Sequence, residues 1–395
     1  MVLGIDASQA NRKIRSGTEW YAFYLIREFK KILGGRGDIE IRLYLRDELQ
    51  ADLAENLPRN FKPKILHWPL KYLWGLKRLS WEMLVHPPDI LFCPAHTIPL
   101  IHPQKTFTTL HDIGFEDNPE LYDRLSLMYH QWSARLAVRK AFHIFTDSEF
   151  SKNRIRDVYH CPEEKLSVTY LGIDSKRSTE RIESILKKYG LAERGYILFV
   201  GRLEPKKNIL GMVKAHEMAN PEKILVLAGR KVRIADVDDY LHARPELAKK
   251  IKFLGYIDEQ DKPALYSGAS IFLFPTLYEG FGLPILEAQA HGTPVITSNI
   301  TSNPEVAGKG AIIVDPRNPK GIAWAIRELL SNGELRQTVI KSGVENLQRF
   351  SWEKTARKTL EKILEIVSPP HDPFGDTQGH LEPGRTGEGE NKRGS

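Results

Sequence analysis

Cysteine is scarce in this sequence. Only Cys93 and Cys161 occur among 395 residues. Two thiols cannot make a disulfide framework or a four-thiolate zinc site, which agrees with a reducing compartment. Long apolar runs are also missing. No stretch reaches the roughly 18 consecutive apolar residues that a bilayer-crossing helix needs. The N-terminus reads Met-Val-Leu-Gly-Ile-Asp, with no basic segment ahead of a long apolar one. A secretory signal is therefore not expected, and the chain is expected to stay in the cytoplasm. No Gly-x-Gly-x-x-Gly follows the first apolar run, which counts against a nicotinamide enzyme. No acidic cluster has metal-ligand spacing, and no metal is expected. Neither sign of charge dominates: 57 Lys+Arg against 50 Asp+Glu leave +7. That balance admits an anionic substrate or surface without demanding nucleic acid, which is not expected as a partner.

Short apolar runs alternate with longer amphipathic stretches. The first series lies at 2–7, 39–45, 90–93, 106–110, 143–146 and 166–170. A second lies at 196–200, 224–228, 251–254, 271–274, 295–297 and 311–314. Runs of this length separated by helical patterns predict parallel strands covered on both faces. Two successive arrays predict an α/β protein of two doubly wound domains, over 1–175 and 190–350, with the boundary inside 172–195. No sequence repeat relates the halves. A helical pattern over 352–367 follows. Residues 368–395 are rich in Gly and Pro with only Phe374 and Leu381 as large apolar side chains, and this tail is expected to be disordered.

The stretch 61–86 stands apart. Lys62, Lys64, Lys71, Lys77 and Arg78 are interleaved with Phe61, Trp68, Tyr72, Trp74 and Trp81. Mixed cations and aromatics suit contact with a membrane interface or an anionic lipid-linked ligand. A partly buried connection packed on the first domain has the same composition, and both readings stand.

Three places concentrate chemistry. Gly201-Arg202-Leu203-Glu204-Pro205-Lys206-Lys207-Asn208 follows the predicted strand at 196–200 and precedes a helix. Ligands of open α/β sheets bind at such carboxyl ends. Gly201 admits close backbone approach, and Asn208 is a suitable N-cap. Each charge-assisted hydrogen bond contributes about 1.5–3 kcal/mol, so Arg202 and Lys207 would dominate binding of a diphosphate. A solvated basic loop is the plainer alternative. The second place is Glu279-Gly280-Phe281-Gly282-Leu283-Pro284-Ile285-Leu286-Glu287, after the strand at 271–274. Pro284 fits the start of a helix. Glu279 and Glu287 then flank one strand–helix junction, where carboxylates suit polyol hydroxyls; two ordinary surface glutamates fit the spacing too. The third is His111-Asp112, at the end of the run 106–110. His111 there can donate to a sugar hydroxyl, or be a capped loop histidine. Gly17, at the first strand–helix turn, places a backbone N–H where a phosphate can approach.

These motifs resemble family 4 glycosyltransferases. The resemblance is carried by the 201–208 loop, the Glu-x7-Glu of Glu279 and Glu287, and Ala290-His291-Gly292-Thr293-Pro294 with the residues after it. It is extended by Pro304-Glu305-Val306-Ala307-Gly308. His111-Asp112-Ile113-Gly114-Phe115, Asp147-Ser148-Glu149-Phe150-Ser151 and Tyr170-Leu171-Gly172-Ile173-Asp174 resemble the N-terminal half of that family. The resemblance covers roughly residues 1–367 and implies the GT-B fold. That fold has two Rossmann-like domains facing a cleft, the first binding the acceptor and the second the nucleotide sugar, with the helix at 351–367 crossing back. It also implies a retaining, metal-independent transfer of a hexose from a nucleotide-diphospho-sugar. That molecule is a substrate, so no cofactor is implied.

Carried over residue by residue, the resemblance assigns the diphosphate to Arg202 and Lys207, the ribose to Glu287 and the donor-sugar hydroxyls to Glu279. His111 would touch the sugar near the reacting carbon, with Asp112 polar beside it. Gly17 and Gly201 would lie against the phosphates. Phe281, Gly282 and Leu283 would present backbone N–H groups, and Tyr256 and Ile257 would contact the base. One departure is plain: Ser16-Gly17-Thr18-Glu19 replaces a glycine-rich loop. The implied donor is GDP-mannose. The implied acceptor is a glycan or a lipid-linked glycan, with 61–86 offering contact at the inner face of the membrane. The alternatives are a GT-B epimerase or phosphorylase, and a catalytically silent nucleotide-sugar-binding scaffold.

Overall fold

A computed structural model describes residues 1–70, 73–174, 182–232 and 234–367. Lys71, Tyr72 and the tail expected to be disordered at 368–395 lie outside the described residues.

The first sheet contains β1 (Val2–Asp6), β2 (Glu40–Leu45), β3 (Phe61–Ile65), β4 (Ile90–Cys93), β5 (Thr106–Thr109), β6 (His143–Thr146) and β7 (Leu166–Val168). The second contains β8 (Tyr196–Val200), β9 (Ile224–Ala228), β10 (Ile251–Gly255), β11 (Ile271–Phe274), β12 (Val295–Ser298) and β13 (Ala311–Val314). The strand orders are β3-β2-β1-β4-β5-β6-β7 and β10-β9-β8-β11-β12-β13. Neighbouring strands pair in parallel throughout both sheets. Every residue of β8 and of β11 is buried, as expected for strands covered by helices on both faces. Fully burying one Ile, Leu or Phe contributes about 1.5–3 kcal/mol, so these central strands anchor the loops that leave them.

One strand is new relative to the sequence pattern. Phe61-Lys62-Pro63-Lys64-Ile65 is the edge strand β3, paired with β2. Its Lys62 and Pro63 are exposed. Pro cannot donate to a ladder and is tolerated at a sheet edge, where one side of the strand has no partner.

The strand order reverses beside β1 in the first sheet and beside β8 in the second. Crevices open at such switch points, outside the carboxyl ends of the strands. The loops after β5 and β6 of the first domain meet the loop after β11 of the second, with Asp112 against Gly280 and Ser148 and Ser151 donating to the Gly280 carbonyl. The last helix returns to the first domain. There Trp352 stacks on Tyr24 with ring centroids 4.8 Å apart. Tyr24 belongs to helix α1 (Gly17–Leu33), and Trp352 opens the terminal helix Trp352–Val367.

Candidate active site

The loop after β8 is built to turn sharply. Gly201 has φ 152°, a conformation that L side chains rarely adopt, so glycine is required there. Leu277 N donates to the carbonyl of Lys206 at 2.8 Å, which ties this loop to the one after β11. Asn208 adds a second tie. Its Nδ2 donates to the carbonyls of Pro275 (3.0 Å) and Pro316 (2.7 Å). This corrects the expected capping role. Asn208 sits at φ 60° before the next helix and makes no side-chain cap; it stitches three loops together.

The tie brings Lys207 to Glu279, Nζ to Oε1 at 2.5 Å. Both side chains are nearly buried, 14% and 12% exposed. Arg202 behaves differently. Its side chain is 64% exposed and reaches Glu204 of its own loop at 3.3 Å. Glu287 lies further along helix α2 (Leu283–Ala290) and accepts from Tyr266 Oη at 2.6 Å. It lines a cavity of about 340 Å³ with Trp20, Tyr24, Lys262 and Trp352. Thus Lys207 and Glu279 touch directly, while Arg202 and Glu287 are engaged by other partners.

Gly282 caps the start of α2, and first-turn helix amides have no acceptor inside the helix. The Phe281 and Ile257 side chains are buried, 5% and 4% exposed, whereas Tyr256 is 68% exposed. Only the backbone of Ile257 is available to a ligand. Gly17 is the first residue of α1. A Cβ added there would meet nothing within 4 Å, so open space faces it. Ser16 and Glu19 form a capping box behind it. The glycine-rich loop is thus replaced by a capped helix start.

The two domains meet at Asp112. A Cβ added to Gly280 would lie 2.6 Å from Asp112 Cβ, so only glycine permits this approach. Asp112 Oδ1 accepts from Gly114 N at 2.8 Å. Burial pushes Asp112 upward, but Lys206 leads the groups that pull it below the ordinary carboxylate range. Burial likewise pulls Lys206 down, and Asp112 and Glu279 more than offset it. An ionised carboxylate and an ammonium therefore face each other across the cleft, beside the Lys207–Glu279 pair.

His111 lies behind Asp112. Its Nδ1 is 2.8 Å from Asp147 Oδ2, and its Nε2 is 3.3 Å from the Pro94 carbonyl. Burial disfavours its charge, but Asp147 outweighs burial and raises the imidazole above its ordinary value. Burial pushes Asp147 up as well. Two acceptors facing both ring nitrogens nevertheless favour the proton on His111. The neighbouring His96, with ring centroids 5.4 Å away, is driven to about 3 by burial and by His111, so it is neutral.

Further contacts hold the domains together. Ser148 Oγ and Ser151 Oγ donate to the Gly280 carbonyl at 2.7 and 3.1 Å. Glu305 accepts from Glu149 N (2.8 Å) and Phe150 N (3.2 Å), at the start of the first-domain helix Glu149–Tyr159. A carboxylate from one domain thereby caps a helix of the other, where the helix dipole favours negative charge. Lys206, Asp147, Ser148 and Glu305 received no individual role from the sequence. Their signal was present, since each sits inside a motif that resembles the family. Among the described residues no cluster of His, Cys, Asp or Glu is arranged to hold a metal.

This geometry offers cations for a polyanion, carboxylates for hydroxyls, and a polar first-domain wall across the cleft. Known proteins match the chain in sequence and in fold. The model described as Glycosyl transferases group 1 matches residues 181–345, and that of Glycosyltransferase Family 4 matches 15–177. The O-antigen chain mannosyltransferase B of Escherichia coli is 33% identical over 304 residues, 75% of this chain and 77% of that protein. The O-antigen chain mannosyltransferase RfbU of Salmonella typhimurium is 31% identical over 70% of this chain and 74% of its own. Sucrose-phosphate synthase from Thermosynechococcus elongatus superposes with a TM-score of 0.73 at 19% identity, covering 93% of this chain and all of that one. WaaG, a glycosyltransferase involved in lipopolysaccharide biosynthesis, superposes at 0.66 and 14% identity over 92% of this chain and 99% of that one. The two facing parallel-sheet domains are thus those of the GT-B fold, and the chain belongs to the family 4 glycosyltransferases.

Proposed function

We propose that this glycosyltransferase moves a mannosyl group from GDP-mannose to a hydroxyl of a glycan or lipid-linked glycan, with retention at the anomeric carbon and without a metal. The mannosyl group rests on the mannosyltransferase names of its relatives, and the choice of GDP on the sequence resemblance alone. The observation that carries the site is the meeting of the Lys207–Glu279 pair with Asp112 across the Gly280 contact.

In this reading Lys207 binds the diphosphate, and Arg202 swings from Glu204 onto it. As the bond from the anomeric carbon to the phosphate oxygen breaks, their charge stabilises the leaving diphosphate, the work that a metal performs elsewhere. Glu279 orients the sugar hydroxyls and Glu287 the ribose. The Asp112 carboxylate, backed by the His111 imidazolium that Asp147 holds, lines the side from which the acceptor enters. The acceptor hydroxyl attacks on the face the diphosphate leaves, and a phosphate oxygen takes its proton. In this reading the transfer takes place in the cytoplasm.

Thermal shifts with GDP, UDP, ADP and dTDP test the donor, because a ligand selective for the native state raises apparent stability. GDP should give the largest shift; an equal shift with all four refutes the choice of base. NMR of the product anomer tests retention, and an inverted product refutes it.

A further inference from the structure

The first domain carries an apolar and cationic face that the reaction does not use. Trp81 and Leu84, on the helix Leu79–Val85, are 61% and 56% exposed. Leu100 and Ile101 are exposed beside them, because Ser80 Oγ accepts from both of their backbone amides, at 2.8 and 3.3 Å. The same loop continues to Thr97, whose Oγ1 lies 3.0 Å from Tyr129 Oη and 3.0 Å from Ser133 Oγ. Those two residues belong to the helix Arg124–Lys140. Leu125 and Met128 of that helix are 79% and 65% exposed, with Tyr129 and Trp132 beside them. Leu136 of the same helix packs into the cluster formed by Trp74, Leu79, Met83 and Ile98. Two helices and the loop between them thus form one continuous surface.

Its charge is predominantly positive; the acids beside it are Asp123, which caps the helix Arg124–Lys140, and Glu116, 4.0 Å from Arg135. The helix Arg124–Lys140 has Arg124, Arg135, Arg139 and Lys140 and no acidic residue. Lys77 is exposed on the other flank. The sole acid of 61–86, Glu82, is buried and bound to Lys64, Arg78 and His86. Exposed Leu, Met and Trp flanked by cations on a helix match the chemistry of an interfacial helix on anionic lipid. A second copy of the same face is a poor partner, since it would set two cationic helices against each other.

A cavity of about 910 Å³ opens at the edge of this surface. Leu73 and Tyr129 belong to its wall and are also exposed apolar residues of the surface. Asp6, Asn11, Arg12 and His96 line it too. From this we infer that the face formed by Leu79–Val85, the 97–101 loop and Arg124–Lys140 docks on an anionic bilayer, so that the cavity receives the sugar end of a lipid-linked acceptor. The inference rests on the acceptor side of the proposed function and extends the contact expected from 61–86 to a second helix and a loop.

Flotation of the full chain with phosphatidylcholine vesicles, with and without phosphatidylglycerol, tests it. Wild type should float only with the anionic lipid and be released by salt, which screens such attraction within about 8 Å at physiological strength. A variant with Arg135, Arg139 and Lys140 changed to Gln should partition roughly a hundredfold more weakly, for three cations removed near an anionic surface. Trp81→Ser with Leu84→Ser, and Leu125→Ser with Met128→Ser, should each weaken flotation while leaving the thermal midpoint and GDP binding unchanged. Absence of wild-type flotation overturns the inference, as do variants that float like wild type. So does a wild-type dimer that these substitutions dissolve, because the face would then be a protein interface. Nucleotide binding separates the two readings: a chain that floats but binds no nucleoside diphosphate refutes the donor site alone.

Discussion

Lys207→Met removes one charge and nearly preserves shape. Lys207 Nζ is 2.5 Å from Glu279 Oε1 and 5.7 Å from the Phe274 ring centroid. Methionine fills the same channel beside Phe274, so no large cavity opens. Two effects follow, and they separate. Glu279 loses its ion-pair partner in a site only 12% exposed. The cleft still admits water, so the cost belongs near the lower part of the range for an orphaned group, about 1–3 kcal/mol. Nucleotide binding loses one charge-assisted contact of about 1.5–3 kcal/mol, a roughly 10- to 150-fold rise in the GDP dissociation constant. Calorimetric titration of GDP measures the second effect and thermal unfolding the first. Adding Glu279→Gln removes the orphaned carboxylate, so stability should recover while turnover stays low. The two positions are in contact, and their effects should not add. A Lys207→Met protein that binds GDP within about twofold of wild type would refute the placement of the diphosphate.

Gly280→Ala drives a methyl group into Asp112. It should lower kcat/KM at least tenfold while leaving GDP affinity near wild type; unchanged kcat/KM shows that this approach is not needed. Glu305→Gln keeps an acceptor but removes the charge at the start of the helix Glu149–Tyr159, a loss of about 0.3–1 kcal/mol. Small-angle scattering should then show a larger radius of gyration without ligand, and an identical radius removes Glu305 as a clamp. His143 is buried in β6, and burial lowers it from 6.5 to about 4. The unfolded state therefore takes up a proton that the folded state refuses. That stability is present above about pH 6.5 and is lost as pH falls toward 4, about 3 kcal/mol in all at roughly 1.4 kcal/mol per unit. His143→Phe should flatten denaturant midpoints across that window, and an unaltered slope refutes the assignment. His111 has the opposite sign: its raised value lends stability at low pH that is lost as pH rises through the folded value. His111→Asn should abolish that alkaline component; its survival would mean another group titrates.

Much of the fold was legible because it is written in local pattern. Buried parallel strands such as Tyr196-Ile197-Leu198-Phe199-Val200 must be apolar at every position, and that density is visible without coordinates. The edge strand β3 was not, because its Lys62, Pro63 and Lys64 obey the rules of an exposed edge and read as a basic loop. The reactive loops were legible for a related reason. Gly201 and Pro284 mark the turn and the helix start that open a strand end to a ligand.

What no local pattern carries is which charge meets which. Arg202 and Lys207 are equivalent in the sequence. The tie between the loops after β8 and β11 sends Lys207 to Glu279 and leaves Arg202 outside with Glu204. Lys206 looked like a solvated lysine until the first domain set Asp112 against it. Glu305 became a helix cap only when the other domain's helix arrived. The apolar face at Trp81, Leu100 and Met128 is scattered along the chain and gathers only through Ser80 and Thr97. The chain determines which segments are strands, helices and ligand loops, since those depend on neighbours a few residues away. Pairings between charges depend on distances across space that fall steeply in importance with separation and hydration, and only the folded arrangement of the two domains sets them.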